Sequence, residues 1–136
     1  MILTWKQFEE AAEAISLRLL EKQKQMEKPF QIICAPARGG LCLAVKVSHL
    51  TGIKYKMGSL VGINEQVIID DIADTGKTLS TWRKKSKSMP YIVTWFYHRE
   101  SKIVPDFWLR EKKNDWIVFP WEKPSVKDEF INLLKL

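Results

Sequence analysis

The sequence of 136 residues predicts an α/β domain with a mostly parallel central sheet flanked by helices. Three observations carry that expectation. Strand-like apolar runs alternate with helix-patterned segments along the chain. The run VIID at 67–70 is continuously apolar up to its acid, as in a strand covered on both faces of a parallel sheet. Two polar, glycine-containing segments, ARGG at 37–40 and DDIADTGKT at 70–78, follow strand-like runs, which is where parallel sheets place their ligands.

The elements follow in order. Thr4 with Gln7 forms the pattern of a capping box, and Phe8, Ala12, Ile15 and Leu19 then recur at helical spacing through about residue 22. FQIICA at 30–35 is expected as a buried strand, and LCLAVKVSHL at 41–50 as a helix stopped by Gly52. IKYKM at 53–57 alternates lysines with apolar residues, so it predicts a strand with an exposed face. After VIID, a helix is expected from about Thr75 to Lys85, then a strand at YIVTWFY, 91–97. DFWL at 106–109 and WIVF at 116–119 are weaker strand candidates. Ser125 with Asp128 marks the start of a last helix whose apolar side is Val126, Phe130, Leu133 and Leu134. With neither repeats nor low-complexity linkers, the expectation is one domain over residues 1–136.

Composition narrows the function classes. No apolar run reaches the ~20 residues that a membrane-spanning helix needs. The opening MILTWKQFEE lacks a basic segment followed by an apolar core, so a cytoplasmic protein is expected. Cys34 and Cys42 form no metal-type or redox-type pair and are expected as reduced thiols. The net charge of +6 suits an anionic partner. The basic run WRKKSKS at 82–88 fits a solvated helix end, so a phosphorylated small molecule is the expected partner rather than nucleic acid.

The chemistry concentrates in VIIDDIADTGKTL, residues 67–79. Its Gly-Lys-Thr invites comparison with a nucleotide-binding P-loop, but that loop needs an earlier glycine where this chain has Asp71. A carboxylate there would point at the anion, which excludes the P-loop. A different ligand suits the acids. Asp74, Thr75, Gly76, Lys77 and Thr78 form a turn entering a helix, where free backbone N–H groups and the positive end of the dipole bind one phosphate. Asp70 and Asp71 suit sugar hydroxyls beside it and can stabilise positive charge developing at a sugar carbon. Phosphate at one end and a diol at the other describe a ribose 5-phosphate unit.

IIDDIADTGKT resembles the signature of the type I phosphoribosyltransferases, which bind 5-phosphoribosyl-1-diphosphate (PRPP). The likeness extends over most of the chain and is strongest to the small bacterial xanthine-guanine, purine-using members. ILTW resembles their start, IICAPARGGL their diphosphate loop, and NDWIVFPWE the C-terminal segment that holds the base. The resemblance implies their fold, with a small C-terminal hood segment. It also implies that Ala37, Arg38, Gly39 and Gly40 hold the diphosphate, Asp70 and Asp71 the ribose hydroxyls, and Asp74 to Thr78 the 5-phosphate. Asp74 would be the proton-transfer group. Trp116 would stack on the purine, Ile117 would offer main-chain contacts, and His98 would stand where the family carries a base-reading lysine. Mg²⁺ is the implied cofactor, at Asp70 and Asp71 and held largely by substrate oxygens and water. Homodimers or homotetramers are the implied assemblies.

The chain departs from the family pattern at three places. Ala37 replaces a serine, His98 replaces the lysine, and only residues 54–66 stand where the family has a longer lid. The expected activity is transfer of the phosphoribosyl group from PRPP to a guanine-, xanthine- or hypoxanthine-like base in purine salvage. The alternative, favoured by the short lid and the missing lysine, is a catalytically weak PRPP- or nucleotide-binding regulator on the same fold.

Overall fold

In the computed structural model, which describes residues 1–58, 64–86 and 88–122, the chain opens with an N-terminal strap and a helix, α1 (Trp5–Gln23). The capping box is complete: the Gln7 N–H donates to Thr4 Oγ1 at 3.1 Å, and Gln7 Oε1 accepts from the Thr4 N–H at 2.8 Å. There follow β1 (Ile32–Cys34), α2 (Leu41–Thr51), β2 (Lys54–Tyr55) and β3 (Gln66–Ala73). The remaining elements are α3 (Lys77–Lys85), β4 (Tyr91–Tyr97), β5 (Phe107–Glu111) and a short 3-10 turn, Pro120–Glu122.

The five strands form one sheet in the order β2-β1-β3-β4-β5, with each adjacent pair parallel. β3 is the middle strand and is buried from Gln66 through Asp71. Val67 and Ile69 join a core with Phe8, Ile15, Leu19, Leu43 and Val47 of α1 and α2. Ile68 turns the other way, into a second core with Leu79 of α3, Ile92 and Ile103. The sheet is thus the central layer between two helical ones. β2 lies at an edge, and its Lys54, like Lys56 just beyond, is exposed as the alternation predicts. Gly52 ends α2 in the left-handed conformation, φ +79°.

Three differences from the sequence-based expectations have physical causes. First, β3 runs on from Asp70 to Ala73, so Asp71 belongs to the strand with Asp70, and α3 begins at Lys77 rather than Thr75. The longer pairing with β4, from Val67↔Tyr91 to Ala73↔Tyr97, carries the strand past its acids. Second, the weak candidate at 106–109 is a strand, displaced to 107–111 and paired with β4. Third, WIVF at 116–119 is not a strand. Val118 makes a single bridge to Ile2, and the Leu3 N–H donates to Val118 O at 2.9 Å. The segment is held by packing instead. Phe119 stacks on Trp121 with centroids 5.1 Å apart, Trp121 meets Phe8 edge-on at 5.8 Å, and Phe119 contacts Trp95 and Phe96. The expected helix from Ser125 lies outside the described residues, as do residues 59–63 of the short lid segment.

No helix among the described residues is long and apolar enough to cross a membrane. Cys34 and Cys42 are free thiols. Burial pushes the Cys34 thiol up to about 12, which keeps it protonated and unreactive.

Two substitutions separate local capping from aromatic packing. Thr4→Ala is expected to cost ~1 kcal/mol through the lost cap. Phe119→Ala, which empties a buried ring site, is expected to cost about 3–5 kcal/mol. Urea denaturation measures both, and equal costs would contradict the structural difference between them.

Candidate active site

The acids of the central motif and the glycine loop meet because β1 and β3 are hydrogen-bonded neighbours, registered Ile32↔Gln66 through Cys34↔Ile68. Each strand therefore delivers its following residues to the same end of the sheet. There a hollow of about 280 Å³ is lined by Ala37 and Gly39 from the first loop and by Asp70, Asp71 and Asp74 to Thr78 from the second. Gly40, buried, is the residue before α2. Arg38 is exposed on the same loop but is not among the residues lining the hollow.

Glycine is required here for close approach. A Cβ on Gly39 would stand 2.6 Å from Asp71 Oδ2, and one on Gly40 would stand 2.5 Å from the Ile69 carbonyl oxygen. A side chain at the first position would press on the carboxylate; at the second it would meet immovable backbone. Gly76 precedes α3 at φ +81°, and its backbone packs on the 101–103 segment. That segment also braces the loop, because the Lys102 N–H donates to Thr75 O at 2.9 Å. Thr75 Oγ1 accepts from the Lys77 N–H at 3.3 Å, while Lys77 and Thr78 are exposed at the first turn of α3. The hollow thus opens at that helix N-terminus, whose free N–H groups suit an anion.

Asp70 and Asp71 are both buried, and Asp70 Oδ1 accepts from the Asp71 N–H at 2.9 Å. Burial, reinforced by the neighbouring Asp71 carboxylate, holds the Asp70 carboxyl well above the usual carboxylate range. Burial also raises Asp71, with Glu122 adding to the effect, although hydrogen bonds from Asp70 and backbone oppose it. Two such groups call for a partner that offsets negative charge or donates hydrogen bonds. Among the described residues, no cluster of three His, Cys, Asp or Glu could form a metal cage. The pair fits a hard cation that takes most of its oxygens from a ligand and water.

A second hollow, about 160 Å³, adjoins the first and shares Asp71, Ile72 and Asp74 with it. Its other lining includes Lys112, Trp116, Ile117 and Phe119. Trp116 is 78% exposed, whereas the Ile117 side chain is buried in the core. The Met1 ammonium donates to Trp116 O at 2.8 Å, so the N-terminal strap holds this segment at both Trp116 and Val118.

His98 lines neither hollow. Its N–H donates to Ala73 O at 2.9 Å, and its Nδ1 accepts from the Glu100 N–H at 3.2 Å, which commits it to the turn after β4. Lys112 stands at the hollow instead, with Nζ 2.9 Å from Asp74 Oδ2 and 6.0 Å from the centroid of the Trp116 ring. Sequence reasoning missed it because it follows β5 among other charged residues, with no local signal beyond its nearness to Trp116 in the chain.

No protein-family model matches the chain. It is 30% identical to the xanthine-guanine phosphoribosyltransferase of Nitratidesulfovibrio vulgaris (strain Hildenborough), an alignment that covers 88% of this chain and 83% of that protein. Among solved structures, a purine phosphoribosyltransferase from Pyrococcus horikoshii superimposes with a TM-score of 0.76 and 30% identity, covering 95% of this chain and 98% of that one. The Helicobacter pylori xanthine-guanine-hypoxanthine phosphoribosyltransferase shares the fold at a TM-score of 0.70 and 19% identity, covering 99% and 97%. With 30% identity over most of both chains and the same parallel-sheet fold, the chain belongs to the phosphoribosyltransferase family, among its purine-using members.

Proposed function

We propose that the protein transfers the 5-phosphoribosyl group of PRPP to a guanine-, xanthine- or hypoxanthine-like base, releasing diphosphate, as a purine salvage enzyme. The observation that carries this is the sharing of Asp71, Ile72 and Asp74 between two adjoining hollows. One has the glycine loop and helix N-terminus suited to phosphates. The other has an exposed indole suited to a flat base. A ribose at the shared acids would have its phosphate side toward α3 and its reacting carbon toward Trp116.

In this assignment the 5-phosphate takes the N–H groups of the turn from Asp74 to Thr78, and the diphosphate takes the loop from Ala37 to Gly40. Arg38, on that loop, would meet the leaving group from its exposed position. Asp70 and Asp71 accept hydrogen bonds from the ribose hydroxyls. As the bond from C1 to diphosphate breaks, positive charge grows on the sugar and the two carboxylates stabilise it. The bond from C1 to the purine nitrogen forms, and Asp74 takes up the proton that the base releases. Ile117 would present main-chain groups to the base edge while Trp116 stacks on its face. Mg²⁺ fits the acids: Asp70 and Asp71 would hold it jointly with PRPP oxygens, where it would offset the charge of the departing diphosphate. The relatives' names support a purine base: xanthine-guanine in one case and purine in the other.

Labelled PRPP incubated with Mg²⁺ and guanine, xanthine, hypoxanthine or adenine tests the reaction. Monophosphate is expected from at least one oxopurine; PRPP binding without monophosphate from any base would overturn the transfer reaction. Asp74→Asn is expected to lower kcat by about 10²-fold or more while changing PRPP affinity far less. Unchanged turnover would remove the proton role from Asp74.

The buried acids generate a separate expectation in the free protein. Asp70 binds its proton more tightly folded than unfolded, so its contribution to stability is complete below the unfolded aspartate pKa of about 4 and is lost as pH rises through the higher folded value. The melting temperature should therefore fall with pH above about 4 through this group, and Asp70→Asn should flatten that fall and raise the melting temperature at neutral pH. Thermal denaturation across this range without ligand decides it; parallel wild-type and variant profiles would contradict the burial effect.

A further inference from the structure

We propose that Thr94 is a positioning residue for Asp70, whose buried hydroxyl is a donor reserved for that carboxylate and fixes it when a sugar and its cation occupy the site. The inference rests on the reading of Asp70 as a ribose-binding acid. It concerns a residue of the neighbouring strand that lines neither hollow and so acts through Asp70.

Strand pairing sets the two residues side by side. β3 and β4 are parallel neighbours, and Asp70 is the registered partner of Thr94, two residues beyond Ile68↔Ile92. Adjacent strands lie about 4.8 Å apart, and residues two apart along a strand share a face. Ile68 and Ile92 both enter the core with Leu79 of α3. Val93 and Trp95, on either side of Thr94, enter the opposite core with α1 and α2. Thr94 therefore faces α3. Asp70, two residues after Ile68, faces the same way and lines the larger hollow together with Leu79.

A hydroxyl is costly in that setting. Thr94 is 0% exposed, and its Oγ1 has no hydrogen-bond partner among the described residues. A buried hydroxyl that has given up water without gaining a partner lowers stability. Valine has nearly the same shape, suits a strand as well and carries no such cost. Across the other edge, Thr94 is registered with Trp108, whose indole has no acceptor for a hydroxyl proton. Asp70 is the registered neighbour that can use one. Its Oδ1 accepts from the Asp71 N–H at 2.9 Å, and the two carboxylate oxygens together offer about four lone-pair positions. The Asp71 N–H holds the carboxylate along its own strand, and side-chain rotation brings the Thr94 hydroxyl to it across the strands. With both donors the carboxylate keeps one orientation toward the sugar, and binding is spared the cost of ordering it.

Thr94→Val and Thr94→Ser separate this role from packing, because the first removes the hydroxyl and keeps the shape while the second does the reverse. Melting temperatures of the free proteins and calorimetric affinities for PRPP with Mg²⁺ are measured on both variants and on wild type. Thr94→Val is expected to raise the melting temperature by roughly 2–4 °C, since the unpaired hydroxyl is gone. The same variant is expected to bind PRPP about tenfold or more weakly, the usual worth of a hydrogen bond to a charged group. Thr94→Ser should lower the melting temperature through its lost methyl group and bind PRPP much as wild type does. A residue that serves packing alone does not move stability and affinity in opposite directions.

The proposal is overturned if Thr94→Val binds PRPP as tightly as wild type, if it lowers the melting temperature, or if Thr94→Ser binds as weakly as Thr94→Val. PRPP bound by wild-type protein but transferred to no base would sink the enzymatic assignment, while the affinities still judge Thr94. Wild-type protein that binds no PRPP would sink the Thr94 assignment itself.

Discussion

The site depends on the burial of two adjacent carboxylates at the carboxyl end of the central strand. β3 is hydrogen-bonded on both sides and covered on both faces, so its middle, Val67 to Ile69, is apolar. Asp70 and Asp71 are tolerated because they sit where the sheet ends and the glycine loop opens over them. Their cost is evident in the raised position of both carboxyls, and a bound sugar with a cation would offset it. The surrounding features follow from that constraint. Gly39 and Gly40 are small because backbone and carboxylate lie against them. Gly76 is left-handed because α3 must start immediately after the acids, and the 101–103 segment packs against its backbone.

The hollow at Trp116 is assembled differently. No strand pairing of its own holds Trp116 to Glu122. The segment is secured by the Met1–Leu3 strap and by the packing of Phe119 and Trp121 against α1 and β4. Aromatic rings supply much buried area for few residues, and here they allow a short segment to present one exposed indole on a stable base. The hollow that results draws on four parts of the chain: the end of β3, the residue after β5, the Trp116 segment and the 3-10 turn. A change in the packing beneath Trp116 therefore reaches this hollow directly, whereas the larger one is built from the two loops beyond β1 and β3.

Much of this was legible in the residues because it rests on local rules. The Thr4–Gln7 box, the Gly52 stop and the apolar run before Asp70 each specify an element from a few neighbours, and each element is present. The 116–119 run was misjudged because short apolar runs look alike whether buried by pairing or by packing. His98 was placed at the base by its position after β4, but the turn hydrogen bonds that claim it cannot be read from a linear pattern. Lys112 was missed for the converse reason, having no signature and gaining its place through the β4–β5 register.

The sequence by itself determined the α/β class, the acids and glycines of DDIADTGKT, and membership of the family whose signature they match. Those features are encoded by spacing and residue type within single segments, where backbone geometry leaves few alternatives. Only the tertiary structure decided that the two hollows share Asp71 and Asp74, and that a lysine 38 residues from Asp74 stands between that acid and Trp116. Such juxtapositions arise from strand order and register, which bring chain-distant residues together by pairing and burial that no local pattern records.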